Sequence, residues 1–516
     1  MRAKKFLAMA IALGLAVGMT VMPTLAADKK TFVFGDTTFN AENEEADINP
    51  QNTYAGWACI RYGVGETLFR YSDAMEIEPW IAKEYENIDE LTWKITLNDG
   101  VVFSNGRACD GEAVKESLEA LVANHERAAG DLCIDTIEAD GNTVTIKTTE
   151  PKPALINYLS DPYGCIIDMQ AGISDDGIVI GTGPYVATEL VTDDHVNLVK
   201  NENYWNGDVN VDEITVRTIS VGDTLAMALQ AGEINAAYGM AYASYPLFEN
   251  DDFTFTSTAT SRAFYAWMNF ESPVTSDPAV RKAIAMGIDK ESFVSVLLKG
   301  YGYPAVGVFP DTFSFGGQNL TTESYDPDGA KKVLEEAGWV DSDGDGIREK
   351  DGQQLSLNYT YWTDLSLAQD MALAIKTQLA EVGIDVTTTG QDQMTWWTEG
   401  VAGNYDITTW NTEGSYTEPH KFLQESLGAD PHAISLQALE DFQSYSDAVN
   451  AFSTSADPEV VQSAIATALN VSNDNVIDLP ISYSKDLVVY NSSKIAGYTF
   501  SSVPQFFEID NVQPAE

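Results

Sequence analysis

One segment limits the fold more than any other. "LSLNYTYW" begins at Leu355, an amphipathic run follows from Leu365 to Val382, and Gly383 leads into "IDVTTT". Strand, crossing helix and second strand make the unit of a mostly parallel sheet with right-handed connections. A chain that contains it is α/β. Further helix starts are marked at Asp277-Pro278, Asp326-Pro327 and Asp457-Pro458. Aspartate accepts from the free amides of a first turn, and proline has no N–H to lose there. The helix begun at Asp326 is expected to stop at Gly338.

The first third has a different texture. "KTFVFGDT" reads as a strand, and "TWKITLNDGVVFSNG" puts Trp93, Ile95 and Leu97 on one face. Asp99-Gly100 predicts a tight hairpin turn, with Val101 to Phe103 as the returning strand. "CDGEAVKESLEALVAN" is an amphipathic helix with Val114, Leu118 and Leu121 inward, and "TIEADGNTVTIKT" is a second hairpin. No repeat or low-complexity linker divides the chain. With 516 residues, 44% of them hydrophobic, it has room for about three domains or one large two-lobed unit.

The first residues predict export. "MRAKK" carries three positive charges, "FLAMAIALGLAVGMTVM" is apolar but short for a membrane span, and Thr24 and Ala26 are small residues at a cleavage site. Residues 1–26 read as a secretory signal cut after Ala26. No cysteine near the cut offers a lipid anchor, so the protein is expected in the periplasm or cell exterior and not as a lipoprotein. The formal charge is −49; without the signal's three positives it becomes −52. Such a surface repels nucleic acid and anionic lipid. Cys59, Cys109, Cys133 and Cys165 match no zinc spacing. An even count in an exported chain predicts disulfides that staple one subdomain, with three pairings open.

Catalytic signatures are missing. There is no nucleophile elbow, HExxH, phosphate loop or dinucleotide fingerprint. "DSDGDGIREKDG" has the first half of a calcium loop, but Gly352 stands where the twelfth-position Glu is needed, so it reads as an acidic turn. A binding protein fits better than an enzyme.

Six stretches then point one way: "GETLFRY", "LTWKITLNDGVVFSNGRACDGEAV", "GTGPYVATELVTDDHVNLVKNENYW", "VRKAIAMGIDKESFVSVLLKGYG", "YDPDGAKKVLEEAGWVDSDGDG" and "LPISYSKDLVVY". In this order they resemble the family 5 extracellular solute-binding proteins of peptide and nickel ABC importers. The resemblance covers nearly the whole mature chain. It implies an α/β fold of two lobes, with mixed sheets joined by a hinge. Lobe I would take 27–268 with an extra subdomain at about 61–180, completed by 487–516, and lobe II 269–486. The chain would cross the hinge near Phe270 and near Tyr483. The turn at Gly181, Gly183 and Pro184 would pack near that hinge, and "NENYW" would close a strand. The resemblance further implies a monomer without intrinsic cofactor or enzymatic activity. It would close on its ligand and deliver it to a permease and ATPase complex.

For the ligand, the nickel group is the nearer pattern. It carries a tryptophan, a Tyr-Asp-Pro-His-like segment and a loop histidine about a dozen residues on. Here these are Trp410, Tyr416, His420 in "EPHKFL" and His432 in "GADPHA". His432 is expected on an exposed loop as the metal contact. His420 is the second metal candidate, with packing at a helix start, capped by Thr417, as its alternative role. Neutral imidazole suits Ni(II), and the remaining ligands would come from a small chelator. Arginines of the first lobe grip that chelator in the family. The matches here are Arg61 and Arg127, with none at Asp161-Pro162. Trp57 would replace a missing pocket tryptophan, and Trp396 and Trp397 are further cleft candidates. His125 and His195 read as surface residues. The alternative is a di- or oligopeptide receptor of the same family. Its ammonium-anchoring aspartate falls on Ser415 here, with Glu413 as a substitute after a shift of register.

Overall fold

The computed structural model describes residues 29–41, 45–316, 319–412, 419–428, 430–503 and 506–515. The proposed signal, Glu413, Ser415, Tyr416 and Thr417 lie outside them. Among the described residues no helix is long and apolar enough to cross a membrane.

An eleven-stranded mixed sheet runs through the molecule. On one side Thr31–Asp36 lies parallel to Glu213–Thr218 and Ala236–Tyr238. On the other, Ser356–Trp362 lies parallel to Asp385–Gln391 and Ile407–Asn411. The unit that opened the sequence reading thus forms as read, with the helix Ala368–Ala380 between its strands. The whole sheet is not mostly parallel, because two long strands join its halves. Phe253–Met268 and Asp478–Asn491 pair antiparallel along most of their length.

The join is irregular. Phe253–Ala259 pairs with Asn491–Lys485; register then shifts before Ala263 meets Tyr483. Before the shift, Val488 and Tyr490 pack with Phe34, Val216 and Tyr238 in one core. After it, Phe264, Ala266 and Met268 pack with Tyr359, Ile375, Leu479 and Ile481 in another. Successive strand residues face opposite sides. So Tyr265 and Trp267, between those three, enter a separate aromatic cluster with Phe309, Trp396 and Tyr445. The two-lobed α/β architecture follows from this arrangement.

A four-stranded antiparallel sheet forms a further core with Val114, Leu118 and Leu121 of the helix Gly111–Asn124. Here one expectation fails. Thr92–Leu97 pairs with Ala82–Asp89 and Thr143–Thr148, not with 101–103. Gly100 does turn the chain at φ +81°, but Val102 only bridges Ala108. Both edges of Thr92–Leu97 are taken by strands from elsewhere in the chain, which leaves no edge for 101–103. The second hairpin, Ile134–Asp140 with Thr143–Thr148, forms as read.

The three Asp-Pro helices start where expected, each aspartate accepting from a first-turn amide. Such a cap stabilises by about 1 kcal/mol. The glycines of "GTGPY" press the chain onto the end of the helix Ala55–Arg61. A Cβ on Gly181 would lie 2.1 Å from the Val64 carbonyl oxygen, and one on Gly183 2.3 Å from that of Gly63. Asn201 of "NENYW" follows the strand His195–Lys200 and ties back to the Gly183 carbonyl at 2.7 Å. Glu66 of "GETLFRY" gathers these motifs. Its buried carboxylate accepts from Trp80, Thr182, Tyr204 and Trp205 at 2.8–3.0 Å.

All four cysteines are free. Cys59 and Cys165 adjoin in the first core, whereas Cys109 is buried in the core under the four-stranded sheet. The predicted staple of one subdomain is therefore not formed.

Candidate functional site

The aromatic cluster opens into a cavity of about 870 Å³. Trp410, on the strand Ile407–Asn411, supplies one wall. Its ring is stacked on Trp396 at 5.0 Å and 4° between planes, and on Trp362 at 6.3 Å and 27°. Trp396 is fixed in turn by its indole N–H, which donates to Thr408 at 2.7 Å. Trp267, Tyr265, Phe422 and the exposed Trp397 extend the apolar lining. Tyr54, which precedes the helix Ala55–Arg61, reaches the cavity from the first-core side. Tyr158 donates to the Gln424 side-chain oxygen at 3.0 Å, a direct contact between the small subdomain and the segment bearing Phe422.

His432 also lines this cavity. It lies not on a loop but in the helix Pro431–Gln437, and it is buried. Asp430-Pro431 is a fourth Asp-Pro start. Asp430 caps the helix by accepting from the His432 amide at 2.7 Å. The helix is held down by Tyr405, whose hydroxyl donates to the Pro431 carbonyl at 2.7 Å, and by Ser435, which donates to the Met268 carbonyl. The imidazole lies between Trp267 and Phe422, at 5.2 Å and 5.6 Å between ring centres. Its Nε2 is 2.8 Å from Asp478 Oδ1. Burial alone would lower the imidazole pKa. The Asp478 carboxylate, helped by Asp430, outweighs it and raises the value above 6.5.

The other candidates are scattered around this pair. Trp57 packs half-buried against the same aromatic cluster. Arg127 does not line the cavity but backs it: its guanidinium sits 5.2 Å from the Tyr54 ring centre and 3.7 Å from Asp161. Burial raises the Asp161 carboxyl to about 6, with Arg127 pulling the other way. His420 starts the helix His420–Glu425 and lies 4.4 Å from the Phe452 ring centre, among packing contacts rather than beside His432. Arg61 is fully buried in the first core. Its Nη1 donates to Glu45 at 2.8 Å and lies 3.6 Å from Asp36. It is not among the residues that line the cavity.

Two further histidines separate. His195 is partly exposed beside Glu189 and Asp194. His125 is not a surface residue: it is buried, its Nε2 2.9 Å from the Thr53 carbonyl and its Nδ1 accepting from Arg127 and Ala128 amides. Burial lowers its pKa. The acidic turn brings Asp341, Asp343 and Asp345 within 4.8 Å of one another at the surface. Their carboxylates accept from the turn's own amides.

Residues that sequence reasoning passed over complete the lining, namely Asp392, Lys421, Glu425 and Asp430. Asp478 was missed as well. The fourth Asp-Pro pair was a readable signal for Asp430; Asp478 had none, being 46 positions from its partner.

Residues 76–432 match the model of bacterial extracellular solute-binding proteins, family 5 Middle. The nickel-binding periplasmic protein of Escherichia coli (strain K12) is 26% identical over 471 residues, covering 88% of this chain and 90% of that protein. The glutathione-binding protein GsiB of Salmonella paratyphi A is 29% identical over 399 residues, covering 74% of this chain and 73% of that one. Among solved structures, NikA from Brucella suis in complex with Fe(III)-EDTA superposes with a TM-score of 0.85 at 24% identity, covering 94% of this chain and 100% of that one. With this architecture, and with a family match over more than half of its length, the chain belongs to the bacterial extracellular solute-binding proteins of family 5, receptors for ABC transporters and not enzymes.

Proposed function

We propose that this receptor captures a nickel, or nickel-like, metal chelate from the periplasm or cell exterior and delivers it to an ABC permease. One observation carries the reading: a buried histidine lines a tryptophan-walled cavity, with its Nε2 turned to a carboxylate. That leaves His432 Nδ1 as the nitrogen for the metal. A single protein ligand permits both capture and release, and a small chelator fills the other positions. The indoles of Trp410 and Trp397 pack against the chelator, and Tyr54, backed by Arg127, approaches it from the first lobe. The similarity to a nickel-binding protein supports the choice of metal.

The hinge in this reading is the register break at Ala259–Ala263 and Lys485–Tyr483. The lobe boundaries expected at 268/269 and 486/487 then move to this break, because Phe264, Ala266 and Met268 pack in the second core. Ligand contacts from both sides favour the closed form. Calorimetry on untagged protein with Ni(II) plus histidine, against a pool of di- and tripeptides that includes glutathione, tests the proposal. Metal-dependent binding that is lost in His432→Ala is expected. Peptide binding that needs no metal overturns it. The peptide alternative is favoured by one finding, the similarity to glutathione-binding proteins.

A further inference from the structure

The structure assigns Asp478 as the positioning residue that fixes which imidazole nitrogen of His432 faces the cargo; this rests on the metal-chelate reading above. Asp478 opens the strand Asp478–Asn491 and is paired in register with Trp267, the residue whose ring covers His432. Sheet pairing therefore delivers the carboxylate to the buried side of the imidazole. The two side chains are 4% and 6% exposed, so water does not compete for either. Nε2 and Asp478 Oδ1 make no hydrogen bond of full geometry to any described residue, and the 2.8 Å contact between them is the one polar approach recorded for either. A small rotation of either side chain makes each the partner of the other, and a buried polar atom is costly to leave without one. The second carboxylate oxygen is held by the Ser472 hydroxyl, at the end of the helix Pro458–Asn475.

The chemistry follows from donor and acceptor roles. A carboxylate only accepts, so Nε2 must carry the proton and the neutral ring keeps its lone pair on Nδ1. Nδ1 has no partner among the described residues, and the ring lines the cavity. A carboxylate behind a metal-binding imidazole fixes tautomer and orientation and raises ligand basicity; its loss weakens metal binding about 10–100-fold. Asp478→Asn is nearly isosteric but offers an amide N–H to Nε2, which moves the ring proton to Nδ1 and blocks the cargo's position.

The test combines two readouts on the full mature chain. Long-range ¹⁵N–¹H NMR of the imidazole, without metal and at a pH above its titration, should show the Nε2–H tautomer in the parent and Nδ1–H in Asp478→Asn. Titration with Ni(II) plus histidine should show a 10–100-fold weaker complex for that variant and a smaller loss for Ser472→Ala. An Nδ1–H tautomer in the parent, or a switched tautomer with unchanged affinity, overturns the assignment. If His432→Ala binds the nickel complex as tightly as the parent, the metal reading itself falls and Asp478 with it. If Asp478→Asn does not fold, the parent tautomer and Ser472→Ala still decide.

Discussion

Arg61 offers a sharp discrimination, because sequence resemblance and structure give it opposite roles. As a chelator clamp, its loss would weaken ligand binding and leave the fold intact. As seen, it is wholly buried, bonded to Glu45 and flanked by Asp36, which also accepts from Tyr62 at 2.7 Å. Arg61→Met keeps much of the stem's packing and removes the charge. Breaking a buried pair by deleting one partner costs about 3–5 kcal/mol, because the other charge is left uncompensated. Glu45 softens this in acid. Burial raises its carboxyl from 4.5 to about 7 even with Arg61 opposing the shift. Because the folded value is the raised one, Glu45's contribution is complete below about pH 4.5 and is lost as pH rises through about 7, a change of about 3 kcal/mol. At pH 5 Glu45 is already largely protonated, so Arg61→Met costs less. At pH 8 the variant must either keep Glu45 neutral against the pH or bury its bare charge. The parent ionises Glu45 above about pH 7 and the variant does not, so urea unfolding at pH 5 and pH 8 should show a destabilisation that grows with pH, by about 1 kcal/mol between the two. Ligand affinity at pH 7 should be unchanged while the protein stays folded. A variant with parent-like stability at both pH values and a tenfold weaker ligand complex would refute this reasoning and restore Arg61 to the ligand.

Glu66→Ala leaves the polar hydrogens of Trp80, Thr182, Tyr204 and Trp205 without their shared acceptor. At about 1–3 kcal/mol for each buried donor that water does not reach, the loss should be 3 kcal/mol or more; urea unfolding showing under 1 kcal/mol would contradict it. Lys290 is buried, donating to the Ala305 carbonyl and Thr322 with no acid partner among the described residues, and burial lowers its ammonium from 10.5 to about 7. Unfolding then takes up a proton between those values, so stability should rise with pH from about 7 to 10.5, and Lys290→Met should remove that slope in thermal melts. Cys133 is the half-exposed thiol, whereas Cys59, Cys109 and Cys165 are buried. Brief alkylation of folded protein followed by peptide mass spectrometry should label Cys133 first; equal labelling of all four would contradict the burial.

Local rules made the elements legible. Asp277, Asp326 and Asp457 announce helices because cap and proline act within one turn, and strand alternation placed Trp93, Ile95 and Leu97 on one face. Rules of that range also mislead when the deciding contact is distant. Asp99-Gly100 turns the chain, yet Thr92–Leu97 takes its partners from residues 82–89 and 143–148. The pattern around His125 is polar, but the ring is enclosed by Tyr163 and the Thr53 carbonyl.

The sequence by itself determined the α/β class, the helix starts marked by Asp-Pro, the family and the pairing of Trp410 with His432 as candidates. These rest on short-range periodicity, capping and motifs read in order. Tertiary structure alone decided that Arg61 is buried against Glu45, that Arg127 stands behind Tyr54, and that Asp478 lies against His432. Burial and charge pairing depend on which distant segments the sheet brings together. In this chain the two strands that pass between the cores, Phe253–Met268 and Asp478–Asn491, make that choice.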